Sequence, residues 1–357
     1  MAAEVFYKGD PVLILASYLF DTLVKKTLVT LAFIICFSSL AVGKEMYDVS
    51  TLTPKEAYEY GELLRVQLKN NSALEYLKFA ADAGHANAGY VYALELKRKR
   101  SIHQEDDSYQ QYMKLAASNG SLAAMRYLYT RADWLSIAEK TNLRNEYHDQ
   151  LIELGATEPS FAYFRLSQYY LNDDDELSDY YLEKAQQFDV AKAFMEEGDR
   201  IKSGHKTFIF EAKRDRTMLQ QYVKAAELGY VPAIRRIVAI LESESDFKQA
   251  LIWREKALEN GDLTSLLSLS KIYRGESEQY EFVGIDLVKS KAYLEVFLQS
   301  AGRDVLPSLY SQAENDFSKL TKITSKEQTM KSDYIRSSLL SETDFIRYDE
   351  VLDSVRY

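Results

Sequence analysis

The sequence predicts an all-α protein in which two-helix units stack side by side into a right-handed α/α superhelix. Three observations carry this prediction. A short pattern of alanines and glycine recurs at intervals that suit a two-helix repeat. The chain of 357 residues is 46% apolar and contains only five prolines, which favours helices with a buried face. Four of the prolines precede helix-like patterns, where proline suits the first helical position: Pro54, Pro159, Pro232 and Pro307.

The amino-terminal residues have the pattern of a secretory signal peptide. A pair of lysines precedes a long apolar run, which ends in small residues that suit cleavage before Lys44. We interpret residues 24–43 as the signal peptide and residues 1–23 as an extension upstream of a start codon at Val24. The predicted location is therefore periplasmic or secreted. The alternative is an uncleaved segment over residues 11–42, which would anchor the chain in the inner membrane and be its one membrane contact.

Cysteine usage and net charge exclude several classes of function. The only cysteine, Cys36, lies within the apolar run, so cleavage would leave a chain with no disulfide and no thiol nucleophile. The formal net charge of −10 disfavours nucleic acid as a partner, because phosphate would be repelled. An acidic field instead favours a partner protein with a basic segment.

A helical cap is predicted ahead of the repeats, over residues 44–70. Thr53 and Glu56 have the spacing of a capping box, and Pro54 stands at the first helical position. The predicted helix ends near Lys69. It covers the open face of the first repeat, which a repeat array needs at each end.

The repeat emerges when the chain is aligned with itself. Five copies share a central alanine, a last residue that is glycine or, once, aspartate, and a small residue four positions later. The copies cover residues 76–84, 112–120, 181–189, 221–229 and 253–261. The predicted array spans residues 71–310 in about six to seven units. Its turn and contact residues are Gly84, Gly120, Gly229, Gly261, Ala88, Ala124, Ala193 and Ala233.

The physical reason for this composition is the close contact of two helices at each turn. Glycine adopts the left-handed backbone conformation that ends a helix more readily than other residues do. Alanine on both inner faces, such as Ala80 against Ala88, lets the two backbones approach below the usual separation. Larger side chains, such as Tyr76 and Trp253, then fill the wider space between neighbouring units.

This pattern of aromatic residue, lysine, paired alanines, glycine and a following alanine resembles the Sel1-like repeat, a relative of the tetratricopeptide repeat. Residues 246–275 match the family pattern best, whereas Glu158 and Asp189 depart from it at the glycine position and Ser265 at the alanine position. The resemblance implies an α/α superhelix that serves as an adaptor, in many bacterial members within the envelope. Some cysteine-rich members are β-lactamase-like, but a mature chain here would lack their paired cysteines, so no catalytic residue is predicted.

Two roles are open for aromatic residues at fixed repeat positions. Tyrosine is abundant, with 27 copies. Packing between neighbouring units is one role. The other is partner binding on a concave face, where a rigid ring with a hydroxyl group suits recognition. The candidates for binding are Tyr76, Tyr112, Tyr181, Tyr222 and Trp253.

No metal or cofactor site is predicted. The histidines stand apart in different units or loops, and none has a histidine one helical turn away. The acidic run over residues 172–176 lacks the alternating ligands and central glycine of a calcium loop, which favours a helix start instead. The four histidines are His85, His103, His148 and His205.

The last part of the chain, residues 311–357, is predicted to be a second helical cap. Thr324 and Glu327 repeat the capping-box spacing, and the polar helix after them would cover the last repeat.

The function that these observations favour is a non-enzymatic interaction scaffold of the bacterial envelope, which binds a partner protein along its concave face. An immunity or inhibitor protein against an envelope-acting toxin is a narrower alternative. A hydrolase that acts on peptidoglycan or a β-lactam is an alternative of a different class. The sequence fixes neither the partner nor the oligomeric state.

Overall fold

The structure is a computed structural model that describes residues 47–99 and 107–355, and Asp48–Tyr357 forms one compact unit. The predicted signal peptide over residues 24–43, the extension over residues 1–23 and His103 lie outside the described residues. The described chain is helical, which confirms the predicted fold class of an all-α superhelix.

Seventeen α-helices and two short 3-10 helices, Val49–Thr51 and Glu278–Tyr280, occur in the described residues. The α-helices are α1 (Pro54–Val66), α2 (Asn70–Asp82), α3 (Ala86–Lys99), α4 (Ser108–Ser118), α5 (Leu122–Arg131), α6 (Ile137–Leu154), α7 (Pro159–Tyr170), α8 (Asp175–Gln187), α9 (Ala191–Ser203), α10 (Glu211–Glu227), α11 (Val231–Ser243), α12 (Phe247–Glu259), α13 (Leu263–Tyr273), α14 (Leu287–Ser300), α15 (Pro307–Ile323), α16 (Lys326–Glu342) and α17 (Glu350–Asp353).

Helix starts follow the local chemistry of the sequence. Thr53 and Glu56 form the capping box of α1, in which each side chain accepts a hydrogen bond from the backbone of the other residue. The helix ends at Val66, three residues before the predicted end. At α16 the capping residue is Ser325 with Gln328, one position later than the spacing of Thr324 and Glu327 predicted. The predicted boundary between residues 310 and 311 falls inside α15.

The turns within helix pairs use a left-handed residue wherever the repeat is regular. The φ angles are 86° at Gly84, 93° at Gly120, 81° at Gly229 and 74° at Gly261, and Asp189 takes the same conformation with φ 54°. A pair of backbone hydrogen bonds closes each of these turns. The α6–α7 turn differs, since Glu158 has a φ of −131° there. One turn geometry is therefore common to five helix pairs: α2–α3, α4–α5, α8–α9, α10–α11 and α12–α13.

Small residues lie where consecutive helices come closest. Ala88, Ala124, Ala193 and Ala233 are each 0% exposed. A Cβ atom added to Gly89 of α3 would lie 3.0 Å from the Cβ atom of Ala116 in α4. The small side chains therefore let the backbones of neighbouring helices approach each other closely, both within a pair and between pairs.

The hydrophobic core is divided into segments that follow the array. One cluster spans α1 to α7, and its members include Tyr76 and Leu128. A small cluster joins α7 to α9, and a third spans α9 to α12. The fourth runs from α11 to α16. Each cluster is built from sequential helices, as expected for a solenoid in which each unit contacts its neighbours.

The two ends of the array contact each other. Leu68, in the turn between α1 and α2, is 2% exposed and packs in the cluster formed by the last helices. The backbone N–H of Gly302 donates to the Gln67 carbonyl oxygen at 2.6 Å, and the Asn71 N–H donates to the Asp304 carboxylate at 2.7 Å. The turn between α1 and α2 therefore packs against the turn between α14 and α15, which brings the two ends of the array together.

Candidate functional site

The residues after α16 cross the interior of the array instead of extending its end. The Ile346 N–H donates to the Gly261 carbonyl oxygen at 2.9 Å, and the Leu263 N–H donates to the Ile346 carbonyl oxygen at 3.0 Å, which forms one parallel β-bridge. The Arg347 N–H donates to the Val66 carbonyl oxygen at 2.8 Å. We call residues 343–355 the internal segment.

The internal segment buries Phe345, which is 3% exposed, in the cluster of α11 to α16, and then forms the short helix α17, which inserts a leucine into the first cluster. Asp349 caps this helix by accepting hydrogen bonds from the Val351 N–H at 2.9 Å and the Leu352 N–H at 3.2 Å. Its carboxylate also lies 2.7 Å from the Arg65 Nε atom. Leu352 is 1% exposed and packs in the cluster of α1 to α7. The segment is therefore held by two apolar anchors and by an ion pair.

Polar contacts fix the far end of the segment. The Lys192 Nζ atom lies 2.8 Å from the Asp353 carboxylate, and the Arg165 guanidinium donates to the Ser354 carbonyl oxygen at 2.5 Å. The Tyr348 hydroxyl group donates to Asp353 at 2.7 Å and lies 3.0 Å from the Tyr230 hydroxyl group. These contacts reach α7, α9 and the residue before α11, so the segment spans several repeats.

Two cavities flank α17 on the inner face. The larger, of about 570 Å³, lies among α5, α7, α9 and α11, and the smaller, of about 350 Å³, lies among α3, α5, α6 and α7. Arg126, Arg165, Glu350 and Ser354 line both. The inner face is thus formed mainly by the second helix of each pair, and the internal segment fills only part of it.

The larger cavity is basic although the whole protein is acidic. The repeat helices contribute two carboxylates to its lining, Glu196 and Asp199, and a larger number of cations. The other carboxylates there, Glu350 and Asp353, belong to the internal segment. Because the formal net charge of the chain is −10, the inner face has the opposite sign to the protein as a whole. The cations of the lining are Arg126, Arg165, Lys192, Arg235 and Arg236.

Arg165 is the most buried cation of this lining. Arg165 is 6% exposed, and its guanidinium lies 5.0 Å from the ring centre of Phe161 and 5.8 Å from that of Phe164. Burial lowers the pKa of the Arg165 guanidinium below its usual value. Its hydrogen-bond acceptors are neutral: the Gln168 amide oxygen at 3.2 Å and the Ser354 carbonyl oxygen.

Arg126 shares an acceptor with Arg165. The Arg126 guanidinium donates to the same Gln168 amide oxygen at 2.9 Å. Among the described residues, no carboxylate forms an ion pair with Arg126 or Arg165. Two guanidinium groups therefore converge on one uncharged oxygen atom, an arrangement that would bind an anionic oxygen more strongly than an amide oxygen.

A second buried charge network lies where the internal segment meets α1 and α3. Arg65 pairs with Glu95, which also accepts hydrogen bonds from Arg98 at 2.8 Å and from Asn70 at 3.1 Å. Burial raises the pKa of the Glu95 carboxyl group, but hydrogen bonds and charge from Arg98 and Arg65 outweigh burial, so this pKa lies below its usual value. Glu95 is therefore ionised near neutral pH and holds Arg65 in place for Asp349.

Two of the aromatic residues predicted to bind a partner are core residues. Tyr76 and Tyr222 are each 0% exposed. The Tyr76 ring lies edge-on to Tyr60 at 4.7 Å, and the Tyr222 ring lies against Gly198, where an added Cβ atom would be only 2.5 Å away. Both side chains fill the space between helices, so the prediction that they form a binding surface is corrected to a packing role.

The other three candidates are half-buried and lie away from the inner face. Tyr112 donates a hydrogen bond to Asp82 at 2.6 Å, and the rings of Tyr181 and Tyr170 stack with centres 5.7 Å apart. Trp253 lies under the Lys256 ammonium group at 4.6 Å. None of the three lines either cavity. A binding role for them stays a prediction.

The tyrosines that line the cavities belong to other sequence positions. Those at the inner face are Tyr90, Tyr127, Tyr147, Tyr230 and Tyr348. The sequence signal that could have found them is the place of a tyrosine within its helix pair. Tyr90 and Tyr127 occur on the second helix of a pair, which faces inwards, whereas every residue that was predicted to bind a partner occurs on the first helix.

The described histidines and acidic run have local structural roles. His85 stacks on Tyr58 with ring centres 4.3 Å apart, and burial lowers the pKa of its imidazole. His148 shares a hydrogen bond with the Tyr170 hydroxyl group at 2.9 Å. Asp174 caps α8 by accepting from the Leu177 N–H at 3.0 Å. Within residues 47–99 and 107–355, no group of three or more histidine, cysteine, aspartate or glutamate residues is placed to hold a metal ion.

In the part of the chain that the structure describes, no helix combines the length and apolar character needed to cross a bilayer.

No family model and no curated protein sequence matches the chain. Solved structures similar to it include a protective antigen of uropathogenic Escherichia coli described as displaying an SLR fold, with 16% identity over 83% of this chain and a TM-score of 0.38. This chain spans 62% of that antigen. A Sel1 repeat protein from Oxalobacter formigenes is similar with 14% identity, 80% of this chain and 86% of the other covered, and a TM-score of 0.35. An immunity protein from Pseudomonas aeruginosa is similar with 18% identity, 67% and 87% covered, and a TM-score of 0.39. On the geometry of its own helix pairs, left-handed turns and alanine contacts, the described chain is an all-α superhelix of two-helix repeats.

Proposed function

We propose that the protein is a non-catalytic interaction scaffold of the bacterial envelope that binds a segment of a partner protein along the inner face of its superhelix. The observation that supports this most directly is the internal segment itself. The inner face binds residues 343–355 through a β-bridge, ion pairs and two buried side chains, Phe345 and Leu352. A surface that binds one extended segment in this way has the chemistry to bind another.

The composition of the inner face also supports peptide recognition. Arginine and tyrosine line both cavities, and these residue types are enriched among those that contribute most to protein binding. The cavities of about 570 and 350 Å³ leave space beside α17 for further side chains. The repeats hold these residues on rigid helices, which lowers the entropy lost on binding.

The envelope location rests on the predicted signal peptide over residues 24–43 and is part of the proposal. Protein recovered from the periplasm or medium with Lys44 as its first residue would support it, whereas recovery of the intact precursor in the cytoplasm would contradict it. An immunity or inhibitor role is a narrower form of the same proposal. It predicts that the partner is a toxin or lytic enzyme and that binding abolishes the activity of that partner.

Site-specific photo-crosslinking in cells tests the proposed function. A photoreactive residue replaces Met195, which lines the larger cavity, and in a control chain it replaces Ile252, which is 54% exposed on α12. We expect one protein to be crosslinked from position 195 in near-stoichiometric amount and not from position 252. Crosslinks from position 252 alone, or none from position 195, would contradict the proposal. Turnover of peptidoglycan or a β-lactam by the purified chain would favour the hydrolase alternative.

A further inference from the structure

The internal segment is an acidic peptide bound to a basic surface. Between Tyr348 and Ser354 it carries three carboxylates, and two of them pair with cations of the repeat helices. Asp349 meets Arg65 and Asp353 meets Lys192. The segment is therefore matched to the inner face by charge as well as by shape.

The charges of the internal segment do not pair with every cation at the centre of the inner face. Arg126 and Arg165 converge on the Gln168 amide oxygen, at 2.9 and 3.2 Å, and no described carboxylate pairs with either guanidinium. A guanidinium as buried as Arg165 usually has an ionic partner, because loss of water around a charge is costly. The internal segment accepts a hydrogen bond from Arg165 only at the Ser354 carbonyl oxygen, and its Asp353 carboxylate, which pairs with Lys192, acts on Arg165 through charge alone. A carboxylate at this point would accept charge-assisted hydrogen bonds from two cations.

We propose that the inner face recognises an acidic, extended segment of a partner protein, whose carboxylate binds between Arg126 and Arg165, and that the internal segment, residues 343–355, holds this place until the partner displaces it. This proposal deepens the proposed function and rests on it. The partner would gain an ion pair that the internal segment does not make.

The internal segment has the properties of a displaceable occupant. Its helix α17 contains four residues, and its buried hydrophobic side chains are Phe345 and Leu352. Cavities lie on both sides of it, so an incoming segment can begin to bind before the occupant leaves. Attachment to the chain gives the segment a high effective concentration, which keeps it bound in the absence of a partner.

The local charge reverses the partner chemistry expected from the whole chain. The net charge of −10 predicts attraction of a basic segment at long range. A bound segment responds instead to charges within about 10 Å, because salt screens those further away. The repeat helices line the larger cavity with five cations and two carboxylates, so an acidic segment is favoured there.

The test uses a fluorescein-labelled peptide of residues 343–355 and the full chain, measured by fluorescence anisotropy. In the host chain Leu352→Ala weakens the attached segment, while the peptide keeps its leucine. Leu320→Ala is the matched control, because Leu320 is 3% exposed in α15 and belongs to the core cluster of the last helices. We expect the Leu352→Ala host to bind the peptide at least about tenfold more tightly than the native chain or the Leu320→Ala host.

A second peptide tests the charge. In it Asp349 and Asp353 become asparagine and Glu350 becomes glutamine. We expect the Leu352→Ala host to bind this neutral peptide about tenfold more weakly than the acidic one, with the difference decreasing as salt is added. Lys192→Gln in the host should reduce this difference, because Lys192 pairs with Asp353. A third peptide with Ser354→Asp brings a carboxylate to the residue whose carbonyl oxygen Arg165 binds, so it should bind more tightly than the acidic peptide, and Arg165→Gln in the host should remove that gain. Arg126→Gln, at a partly exposed position, provides the same test if the buried substitution unfolds the chain.

Three outcomes would overturn the inference. The first is equal binding of the acidic and neutral peptides, and the second is equal binding of the acidic peptide to the native, Leu352→Ala and Leu320→Ala chains. The third is a dimer, detected by sedimentation, in which two copies exchange the internal segment. The proposed function fails separately. If a partner is crosslinked from position 195 but neither competes with the acidic peptide nor carries an acidic segment, that result contradicts the inference and still supports the scaffold proposal. If the peptides bind as expected but no partner is crosslinked, the preference of the inner face for an acidic segment is supported and the scaffold role is rejected.

Discussion

Gly261 is the turn residue against which the internal segment packs, and an alanine there tests that contact. Its φ is 74°, and an added Cβ atom would lie 2.5 Å from the Asp344 carbonyl oxygen. Gly120 occupies the corresponding turn of another repeat with φ 93°, yet a Cβ atom there would have no neighbouring atom within 4 Å. Gly120→Ala therefore measures the backbone strain without the contact.

The structure gives the expected size of each effect. Both substitutions place alanine in the left-handed region, which costs about 1 to 2 kcal/mol of the free energy of unfolding. Only Gly261→Ala also displaces the Asp344 backbone, because 2.5 Å is far inside van der Waals contact. That overlap adds about 1 to 3 kcal/mol. Gly261→Ala should therefore lower the free energy of unfolding by about 2 to 5 kcal/mol.

Urea unfolding followed by circular dichroism measures these losses, and amide hydrogen exchange locates them. The Ile346 and Leu263 N–H groups form the hydrogen bonds of the β-bridge beside Gly261. We expect both to exchange faster in Gly261→Ala and to be unchanged in Gly120→Ala. Equal stability losses in the two variants, with unchanged exchange at Ile346, would refute the placement of the internal segment.

Three further predictions concern the helix contacts and the buried charges. Ala88→Leu should overpack the α2–α3 turn and lower the free energy of unfolding by about 1 to 3 kcal/mol, and an unchanged melting temperature would contradict that packing. Gly198→Ala should displace the Tyr222 ring and cost about 1 to 3 kcal/mol, with a change in tyrosine fluorescence as an independent check. The pKa of Glu95 lies below its usual value in the folded chain, so its charge stabilises the fold above the pKa of the unfolded chain, and this stabilisation is lost as the pH falls through the lowered pKa. Glu95→Gln should cost about 1 to 3 kcal/mol at pH 7 and reduce the loss of stability in acid. The same loss of stability in acid as in the native chain would show that Glu95 does not contribute to it.

The helical architecture was predictable because its signals are local and repeated. Glycine ends a helix through its own backbone freedom, and alanine permits close approach through its own size, so each copy of the pattern carries its own information. The left-handed φ of Asp189 extends the same rule to the copy that lacks glycine. The register of the five copies therefore predicted helix pairs before any long-range contact was known.

Neither the contact between the two ends of the array nor the place of the internal segment could be predicted in this way. Leu68 packs against the last helices, and the Arg347 N–H bonds to the Val66 carbonyl oxygen, across most of the length of the chain. Neither contact has a period or a local motif. The final residues were predicted as a helical cap because capping signals occur near α16, but no pattern indicated that the segment after it turns inwards.

The aromatic residues show why a fixed repeat position is a weak guide to binding. Tyr76 holds the first position of its copy and is buried, whereas the residues at the same position of three other copies are half-buried: Tyr112, Tyr181 and Trp253. Tyr222, one position later in its copy, is buried. The inner face is formed mainly by the second helices instead. Arg126 and Arg165 lie there at positions where the residue type differs from copy to copy. Recognition of one partner requires such differences, which a search for repeated residues does not detect.

Amide hydrogen exchange over the internal segment, in the free chain and in the complex with the crosslinked partner, tests the central claim most directly. In the free chain the Ile346 and Arg347 amides donate to backbone carbonyl oxygens of the array and should exchange slowly. In the complex they should exchange at least about tenfold faster, because the partner takes the place of the segment. Fast exchange at both amides in the free chain, or unchanged slow exchange in the complex, would contradict the claim that residues 343–355 occupy the binding face.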